Sequence, residues 1–255
     1  MKKQSTLIIA IIATSIILSI TSCTKTGPAG PTGPSGPTLT GSITGFVTTY
    51  DQYGFKVAAD QSGVMLILDN PLDTAYTDAS GKYTFNNIQT GTYSYTISRA
   101  GYSTTRVQDL GCAGGGATLR NVGINRPPYF GLVAVNDTIE NTIANGPGIL
   151  VRGTDTADTS PRTFIIFANS ASTVSSTPAN FIYYNSGTIK AGATSFALYI
   201  TSRELNDAGI ASGSTVYLAV YPVSTGLISY TDLATGRAFI TSVGTTPTAL
   251  SAIVP

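Results

Sequence analysis

The chain has 255 residues, of which 42% are hydrophobic and 11% charged, with a formal net charge of +1 and neither histidine nor tryptophan. The lack of histidine excludes Ser-His-Asp triads, histidine acid–base catalysis and most zinc, haem and copper sites, so no cofactor is expected. Nucleic acid is not expected as a partner, because a net charge of +1 does not indicate a basic surface that would bind phosphates. The low charged fraction is typical of β-sheet proteins, whose outward strand positions accept Thr and Ser.

The N-terminus has the pattern of an export signal. Lys2 and Lys3 precede an apolar run from Leu7 to Ile20. As a helix this run is roughly 21 Å long, which is too short for a hydrocarbon core of ~30 Å. A charged start, a short apolar stretch and small residues at its end therefore indicate a cleaved signal rather than a membrane span.

The end of this signal resembles the bacterial lipobox, in the stretch Ile20-Thr21-Ser22-Cys23. The resemblance implies that residues 1–22 are removed and that Cys23 receives a diacylglycerol and becomes the first mature residue. Two or more acyl chains make membrane anchoring stable. We expect the protein to be exported across the inner membrane and anchored in the cell envelope, in the outer membrane. The sequence does not distinguish an anchor on the periplasmic face from one on the cell surface. An ordinary secretory signal is the alternative.

Residues 23–38 are predicted to be a tether. Gly27, Gly30, Gly33 and Gly36 are each followed by proline, which is the collagen pattern, since only glycine fits a triple-helix axis. Four triplets favour a polyproline-II spacer, about 37 Å long if extended, over a trimerising stalk. We therefore expect a monomer.

Residues 39–126 are predicted to form an antiparallel β-sandwich. Over residues 43–48, Ile43, Gly45 and Val47 alternate with residues of the other face, as in a half-buried strand, and Thr92–Ser98 has the same period of two. The continuous apolar run Val64–Leu68 predicts a strand covered on both faces. A turn is expected at residues 78–81, because Asp can bond nearby backbone amides and Gly81 can adopt a positive φ.

The order of these motifs resembles the carboxypeptidase regulatory-like domain. Residues 77–85 read T-D-A-S-G-K-Y-T-F, residues 87–93 read N-I-Q-T-G-T-Y, and Gly101-Tyr102 closes the set. The resemblance covers roughly residues 40 to 125 and implies a transthyretin-like sandwich of seven strands that is not itself catalytic. With the lipobox and the collagen-like tether, the chain is similar to lipoproteins found in Bacteroidota.

Residues 127–255 are predicted to form a second β-sandwich, which begins after Arg126-Pro127-Pro128 because proline pairs enforce extended backbone. Residues 196–223 are similar to the E-to-F corner of immunoglobulin and fibronectin type III domains, and Ser202 is a candidate N-cap for one helical turn. The strand candidate Thr215–Val223 is predicted to lie at the centre of its sheet. The strand candidates are Tyr129–Val135, Gly148–Arg152, Thr163–Ala168, Phe181–Asn185, Ser195–Ile200, Thr215–Val223 and Arg237–Val243.

Candidate ligand contacts are Tyr183, Tyr184 and Tyr230, because tyrosine is common at binding surfaces and its flat ring can stack on a sugar. Core packing is the alternative. Tyr183 and Tyr184 are adjacent in a predicted strand and therefore point to opposite faces. Asp155 and Asp158 form the densest acidic cluster, for which a solvated loop is favoured over a calcium site. No metal is expected.

Together these features predict a non-enzymatic, lipid-anchored envelope protein that binds a glycan or another envelope protein. One alternative is a glycan hydrolase that uses aspartates of the second sandwich. A glycosidase needs two suitably spaced carboxyl groups, and the chain has only two glutamates, Glu140 and Glu204. The other alternative is a purely structural surface spacer.

Overall fold

The computed structural model describes residues 39–57, 60–132, 134–142, 146–156, 158–245 and 248–255. All of these residues belong to one unit, Thr38–Pro255. Cys23, the predicted signal at 1–22 and the predicted tether lie outside the described residues. Within the described part of the chain, no helix combines the length and the hydrophobicity that crossing a bilayer requires.

The described chain is all-β, as predicted from its sequence. Its helical elements are one α-helix, α1 (Ser202–Asp207), and one 3₁₀ turn (Pro178–Asn180). The strands are β1 (Thr40–Tyr50), β2 (Met65–Leu68), β3 (Asp73–Tyr76), β4 (Lys82–Gln89), β5 (Gly91–Ser98), β6 (Thr105–Cys112), β7 (Ala117–Leu119), β8 (Val122–Asn125), β9 (Ala134–Thr142), β10 (Gly146–Thr154), β11 (Arg162–Asn169), β12 (Tyr183–Ile189), β13 (Ser195–Thr201), β14 (Thr215–Val223), β15 (Ser229–Thr231), β16 (Ala238–Ile240) and β17 (Thr248–Ile253).

Strands β1–β8 form the N-terminal sandwich. In one sheet β1 lies between β4, which is antiparallel to it, and β7 and β8, which are both parallel to it. The other sheet is antiparallel and has the order β3-β2-β5-β6. Ile43 and Val47 of β1 are buried between the sheets with Tyr83, Phe85 and Tyr95, which confirms the predicted alternation.

The sandwich has eight strands rather than the seven that the family resemblance implies, because β7 and β8 divide one edge of β1 between them. The Phe46 amide donates to Asn121 Oδ1 at 3.0 Å, so a side chain takes the place of a ladder hydrogen bond. One residue earlier the Arg120 amide donates to the Thr44 carbonyl. The edge strand is therefore interrupted at residues 120–121.

The predicted turn at residues 78–81 is confirmed. Asp78 Oδ1 accepts hydrogen bonds from the amides of Ser80 and Lys82, both at 2.9 Å. Gly81 has φ = 88°, and a Cβ there would lie 2.4 Å from the Val47 carbonyl oxygen. Glycine is thus required both by the left-handed backbone and by the close approach of β1.

One expectation for this sandwich differs from the structure. Met65 and Ile67 of β2 are only half-buried, so the strand is not covered on both faces. Cys112 ends β6 and is buried in the core as a free thiol.

Strands β9–β17 form the C-terminal sandwich. One sheet has the order β13-β10-β9 and the other the order β12-β11-β14-β17, with a separate β15–β16 hairpin. These sheets of three and four antiparallel strands have an immunoglobulin-like arrangement. As predicted, β14 is central, between β11 and β17. Both β11 and β14 are buried on both faces, since Phe164 and Ile166 pack between the sheets whereas Ile165 and Phe167 pack on the opposite side.

For the C-terminal sandwich, some strand predictions have wrong bounds, and one strand was not predicted. Tyr129–Val135 was expected to be a strand, but residues 129–132 are a connector and β9 begins at Ala134. Most residues of strand β9 are polar, so its sequence lacks the apolar alternation that would predict a strand. Strand β12 lies two to four residues beyond the predicted Phe181–Asn185. Strand β17 is absent from the predicted set.

The N-cap of α1 is Thr201, not Ser202. The Glu204 amide donates to Thr201 Oγ1 at 3.1 Å, and Glu204 Oε2 accepts from the Thr201 amide at 2.8 Å. This reciprocal capping box satisfies two backbone amides, which moves the start of the helix one residue towards the N-terminus relative to the prediction.

Candidate functional site

The two sandwiches meet at a hydrogen-bonded junction. Residues 224–231, here called the junction segment, follow β14 and run beside the N-terminal sandwich. The Thr225 amide donates to the Gln52 carbonyl at 2.9 Å, and Asn125 Nδ2 donates to the Thr225 carbonyl at 3.0 Å. Because these bonds include backbone groups of both sandwiches, they hold the junction segment against the N-terminal sandwich.

A second contact between the sandwiches involves three side chains. Tyr53 and Tyr129 each donate a hydrogen bond to Asp158 Oδ2, at 2.6 and 2.5 Å. The two hydrogen bonds hold the pKa of Asp158 well below its usual range, and the bond to Asp158 raises the pKa of Tyr129. Asp158 thus lies in a loop, as expected from the sequence, and its carboxylate is bound to two phenols.

Asp155, the other acidic candidate, belongs to a buried ion pair. Its Oδ2 lies 2.6 Å from Arg162 Nε, and both side chains are at most 1% exposed. Arg162 Nη2 also donates to the Ala193 carbonyl at 2.7 Å. A guanidinium therefore balances the carboxylate charge. Among the residues described, no three His, Cys, Asp or Glu side chains form a potential metal-binding group.

Tyr183 and Tyr184 lie on opposite faces of their sheet. The Tyr183 hydroxyl lies 3.3 Å from Glu204 Oε1, its ring packs against the core between the sheets, and burial raises its pKa to about 12. Tyr184 is exposed, with its ring beside Phe167 and Phe181 on the outer side. Tyr183 is thus partly a core residue, and only Tyr184 presents a free ring face.

Tyr230 lies in a groove between the two sandwiches. Its ring stacks on Phe239 of β16, with centroids 5.0 Å apart and planes inclined by 12°. The groove has a volume of about 430 Å³ and runs between β6 and the β15–β16 hairpin. Its lining residues are Arg106, Val107, Gln108, Asp109, Arg120, Ser229, Tyr230, Thr231 and Leu233.

Polar groups of the N-terminal sandwich form one wall of this groove. Arg106 forms an ion pair with Asp69 and donates to Thr96 Oγ1. The exposed guanidinium of Arg120 has no hydrogen bond or ion pair with any described residue. Asp109 has a φ of 51°, a left-handed conformation that aspartate adopts more readily than most residues. The wall thus presents arginine donors and a carboxylate acceptor opposite an aromatic ring.

Sequence reasoning identified Tyr230 but missed the residues that face it. Arg106, Asp109 and Arg120 are more than 100 residues away in the chain, and nothing in their local pattern indicates a shared groove. The ring stack could have been predicted from the sequence, because a turn around Gly236 separates two short segments that contain Tyr230 and Phe239. A predicted hairpin there would have paired the two rings.

Known structures with similar chains have low sequence identity to this one. A candidate carbohydrate-binding protein from Bacteroides uniformis has 15% identity, with a TM-score of 0.30, over 84% of this chain and 99% of that chain. A DUF3823 family protein from Bacteroides ovatus has 13% identity, with a TM-score of 0.30, over 84% and 100%. A candidate carbohydrate-binding protein from Pseudomonas aeruginosa has 14% identity, with a TM-score of 0.26, over 38% and 97%.

No curated protein matches the chain. Residues 42–124 match the family model of the carboxypeptidase regulatory-like domain. The matched range extends from β1 to β8 and agrees with the motifs identified in the sequence. The N-terminal sandwich is therefore similar to carboxypeptidase regulatory-like domains.

Proposed function

We propose that this chain is a non-catalytic carbohydrate-binding protein, and that the groove beside Tyr230 holds the glycan. The observation that supports this best is the ring of Tyr230, which is stacked on Phe239 and lines the same groove as Arg106 and Arg120. Sugar rings present a C–H face that packs on aromatic rings and hydroxyl groups that bond to charged and amide side chains. Ligand sites of this kind combine apolar walls with a few convergent polar groups.

The carboxylates favour binding over hydrolysis. A glycosidase requires two carboxyl groups on either side of the scissile bond. Among the residues that line the groove, Asp109 alone has a carboxylate. Elsewhere in the C-terminal sandwich, Asp155 pairs with Arg162, and Glu204 caps α1. These partners support a role for the carboxylates in stability rather than in catalysis.

A glycan array with the purified mature protein tests this proposal, followed by calorimetry with the glycans that are retained. We expect at least one glycan to bind, and Tyr230→Ala to weaken that binding by about threefold to tenfold through loss of the aromatic face. Tyr76→Ala is the matched control, since Tyr76 is 62% exposed on β3 outside the groove. Equal effects of the two substitutions would contradict the proposal.

Arg120→Ala provides a second variant that does not depend on the packing of the hairpin. Because the Arg120 guanidinium makes no hydrogen bond or ion pair with the described residues, its removal leaves no described group unpaired. We expect weaker glycan binding with unchanged thermal stability. Release of new reducing ends from a bound glycan would overturn the non-catalytic part of the proposal.

We also propose that Cys23 anchors the chain in the outer membrane as a monomer, on the basis of the lipobox-like stretch and the short collagen-like tether. Metabolic labelling with a fatty acid, followed by membrane fractionation, tests the anchor. Cys23→Ala should abolish labelling and release the protein from membranes. Cys112→Ala is the control, because Cys112 is buried in the N-terminal core. Labelling that survives Cys23→Ala would overturn the anchor.

A further inference from the structure

A second cavity lies at the junction, close to the groove. It has a volume of about 300 Å³, and none of its lining residues is charged. The ring of Tyr50 and the side chain of Ile228 form apolar parts of its wall, and glycines form much of the remainder. The cavity therefore differs from the groove, whose wall includes Arg106, Arg120 and Asp109.

The glycines keep this cavity open. At Gly123 of β8, a Cβ would lie 2.8 Å from the Tyr50 ring, so a larger residue would displace the ring. Gly226 has φ = 84°, and a Cβ there would lie 4.0 Å from Asn125 Nδ2. The hydrogen bonds of Thr225 to Gln52 and Asn125 hold the two sides together. The cavity is thus a feature of the fixed junction.

Asn125 is one of the residues that line this cavity, and its side chain has an unpaired acceptor. The residue is 2% exposed, and its Nδ2 donates to the Thr225 carbonyl, which fixes the orientation of the amide. Among the described residues, Asn125 Oδ1 has no hydrogen-bond partner. A buried acceptor without a donor is costly, and a hydroxyl group that reaches this oxygen would supply the missing bond.

The size and chemistry of the cavity define what it can hold. A volume of 300 Å³ is at the lower end for ligand sites, which favours a single ring. The uncharged wall favours a neutral ring, the Tyr50 face favours one with an apolar side, and Asn125 requires a hydrogen-bond donor. We propose that this cavity is a subsite for one uncharged sugar ring, which is selected by a hydroxyl group that bonds to Asn125.

This inference rests on the proposed function, since the ring would belong to the glycan that lies in the groove. Gly226 of the cavity and Tyr230 of the groove are four residues apart in the junction segment. Four extended residues span at most about 14 Å. One short oligosaccharide can therefore reach both places.

The test places a side chain in the cavity, and its control substitution is made at a glycine with a similar positive φ. Gly226→Asn introduces a residue that accepts positive φ and extends from a Cβ near Asn125. Gly213→Asn is the matched control, because Gly213 has φ = 80° and nothing within 4 Å of its added Cβ. The probes are the glycans retained on the array and the methyl glycosides of glucose, galactose, mannose and N-acetylglucosamine. The readouts are calorimetry and amide chemical shifts of Gly123 and Asn125.

We expect at least one methyl glycoside to shift these two amides in the parent protein. Gly226→Asn should abolish that shift and weaken glycan binding by about tenfold, whereas Gly213→Asn should change neither. Glycan binding that Gly226→Asn leaves unchanged, or amides that no methyl glycoside shifts, would overturn the subsite while the proposed function stands. Failure of every glycan to bind the parent protein would overturn both.

Discussion

The hydroxyl group of Tyr53 donates a 2.6 Å hydrogen bond to Asp158 Oδ2, across 105 residues of chain. Tyr53 follows β1 in the N-terminal sandwich, whereas Asp158 lies between β10 and β11 in the C-terminal sandwich. The hydroxyl group of Tyr129, in the connector between them, donates to the same oxygen and lies 2.5 Å from the Tyr53 hydroxyl oxygen. The connector therefore contacts a residue of each sandwich.

Removal of the Tyr53 hydroxyl should loosen this connector. In Tyr53→Phe the ring remains but the bond to Asp158 is lost, so we expect faster hydrogen exchange at the amides of Tyr129, Phe130 and Gly131. Tyr93→Phe is the control, because the Tyr93 hydroxyl bonds only to the nearby Gln89 carbonyl among the residues described. Exchange in the connector that does not differ between the two variants would contradict this role for Tyr53.

The lowered pKa of Asp158 predicts a dependence of stability on pH. Because the folded state holds the carboxylate ionised, the stabilisation is present above the usual value of 3.8 and is lost as pH falls through the lower folded pKa. The free energy of unfolding should thus fall less below pH 3.8 in Asp158→Asn than in the parent. Asp207→Asn, which changes an exposed carboxylate of α1, should keep the parental slope. Denaturant titrations between neutral and acidic pH measure both.

The buried pair of Asp155 and Arg162 predicts a large loss of stability in one variant. Arg162→Met leaves the Asp155 carboxylate buried without its cation, which should lower the free energy of unfolding by about 3–5 kcal/mol. The double variant Asp155→Leu/Arg162→Met should recover part of this loss, since no charge is then left buried. Arg152→Met, at the half-exposed pair with Glu140, should cost about 1 kcal/mol or less. A double variant no more stable than Arg162→Met would contradict the argument.

Gly45 predicts a packing limit in β1. Its Cβ would lie 1.9 Å from the Arg120 carbonyl oxygen, where β7 gives way to β8. Gly45→Ala should therefore destabilise the chain by about 1–3 kcal/mol or more, since backbone must move. Gly111→Ala in β6 is the matched strand control, with nothing within 4 Å of its added Cβ. Thermal unfolding of the two variants decides the point, and equal midpoints would refute it.

The parts of the fold that were predictable are those with a strong local pattern. The alternation at residues 43–48 and the turn at Asp78–Gly81 depend on neighbours in sequence, and both are confirmed by the structure. Strand β14 was predictable because its apolar run is long enough for a central position. In contrast, Tyr129–Val135 has strand-like composition, but Tyr129 is held in a connector by its bond to Asp158.

The candidate site was less predictable, because distant segments meet there. Tyr230 was a candidate because it is a tyrosine, but Arg106 and Arg120 face it only after the β15–β16 hairpin lies beside β6. The unpaired oxygen of Asn125 arises in the same way, since its amide is fixed by Thr225. A local sequence pattern cannot predict these contacts, because the residues that meet are about a hundred positions apart in the chain.

The parallel pairing of β1 with β8 has a mechanical consequence. Val47 pairs with Val122 and Tyr50 with Asn125, so the two strands run in the same direction. When the chain is held at its N-terminus and its C-terminal sandwich is pulled, tension enters β1 at its first residue and β8 at its last. These are opposite ends of the ladder, so the interstrand hydrogen bonds bear the load together in shear instead of opening one after another.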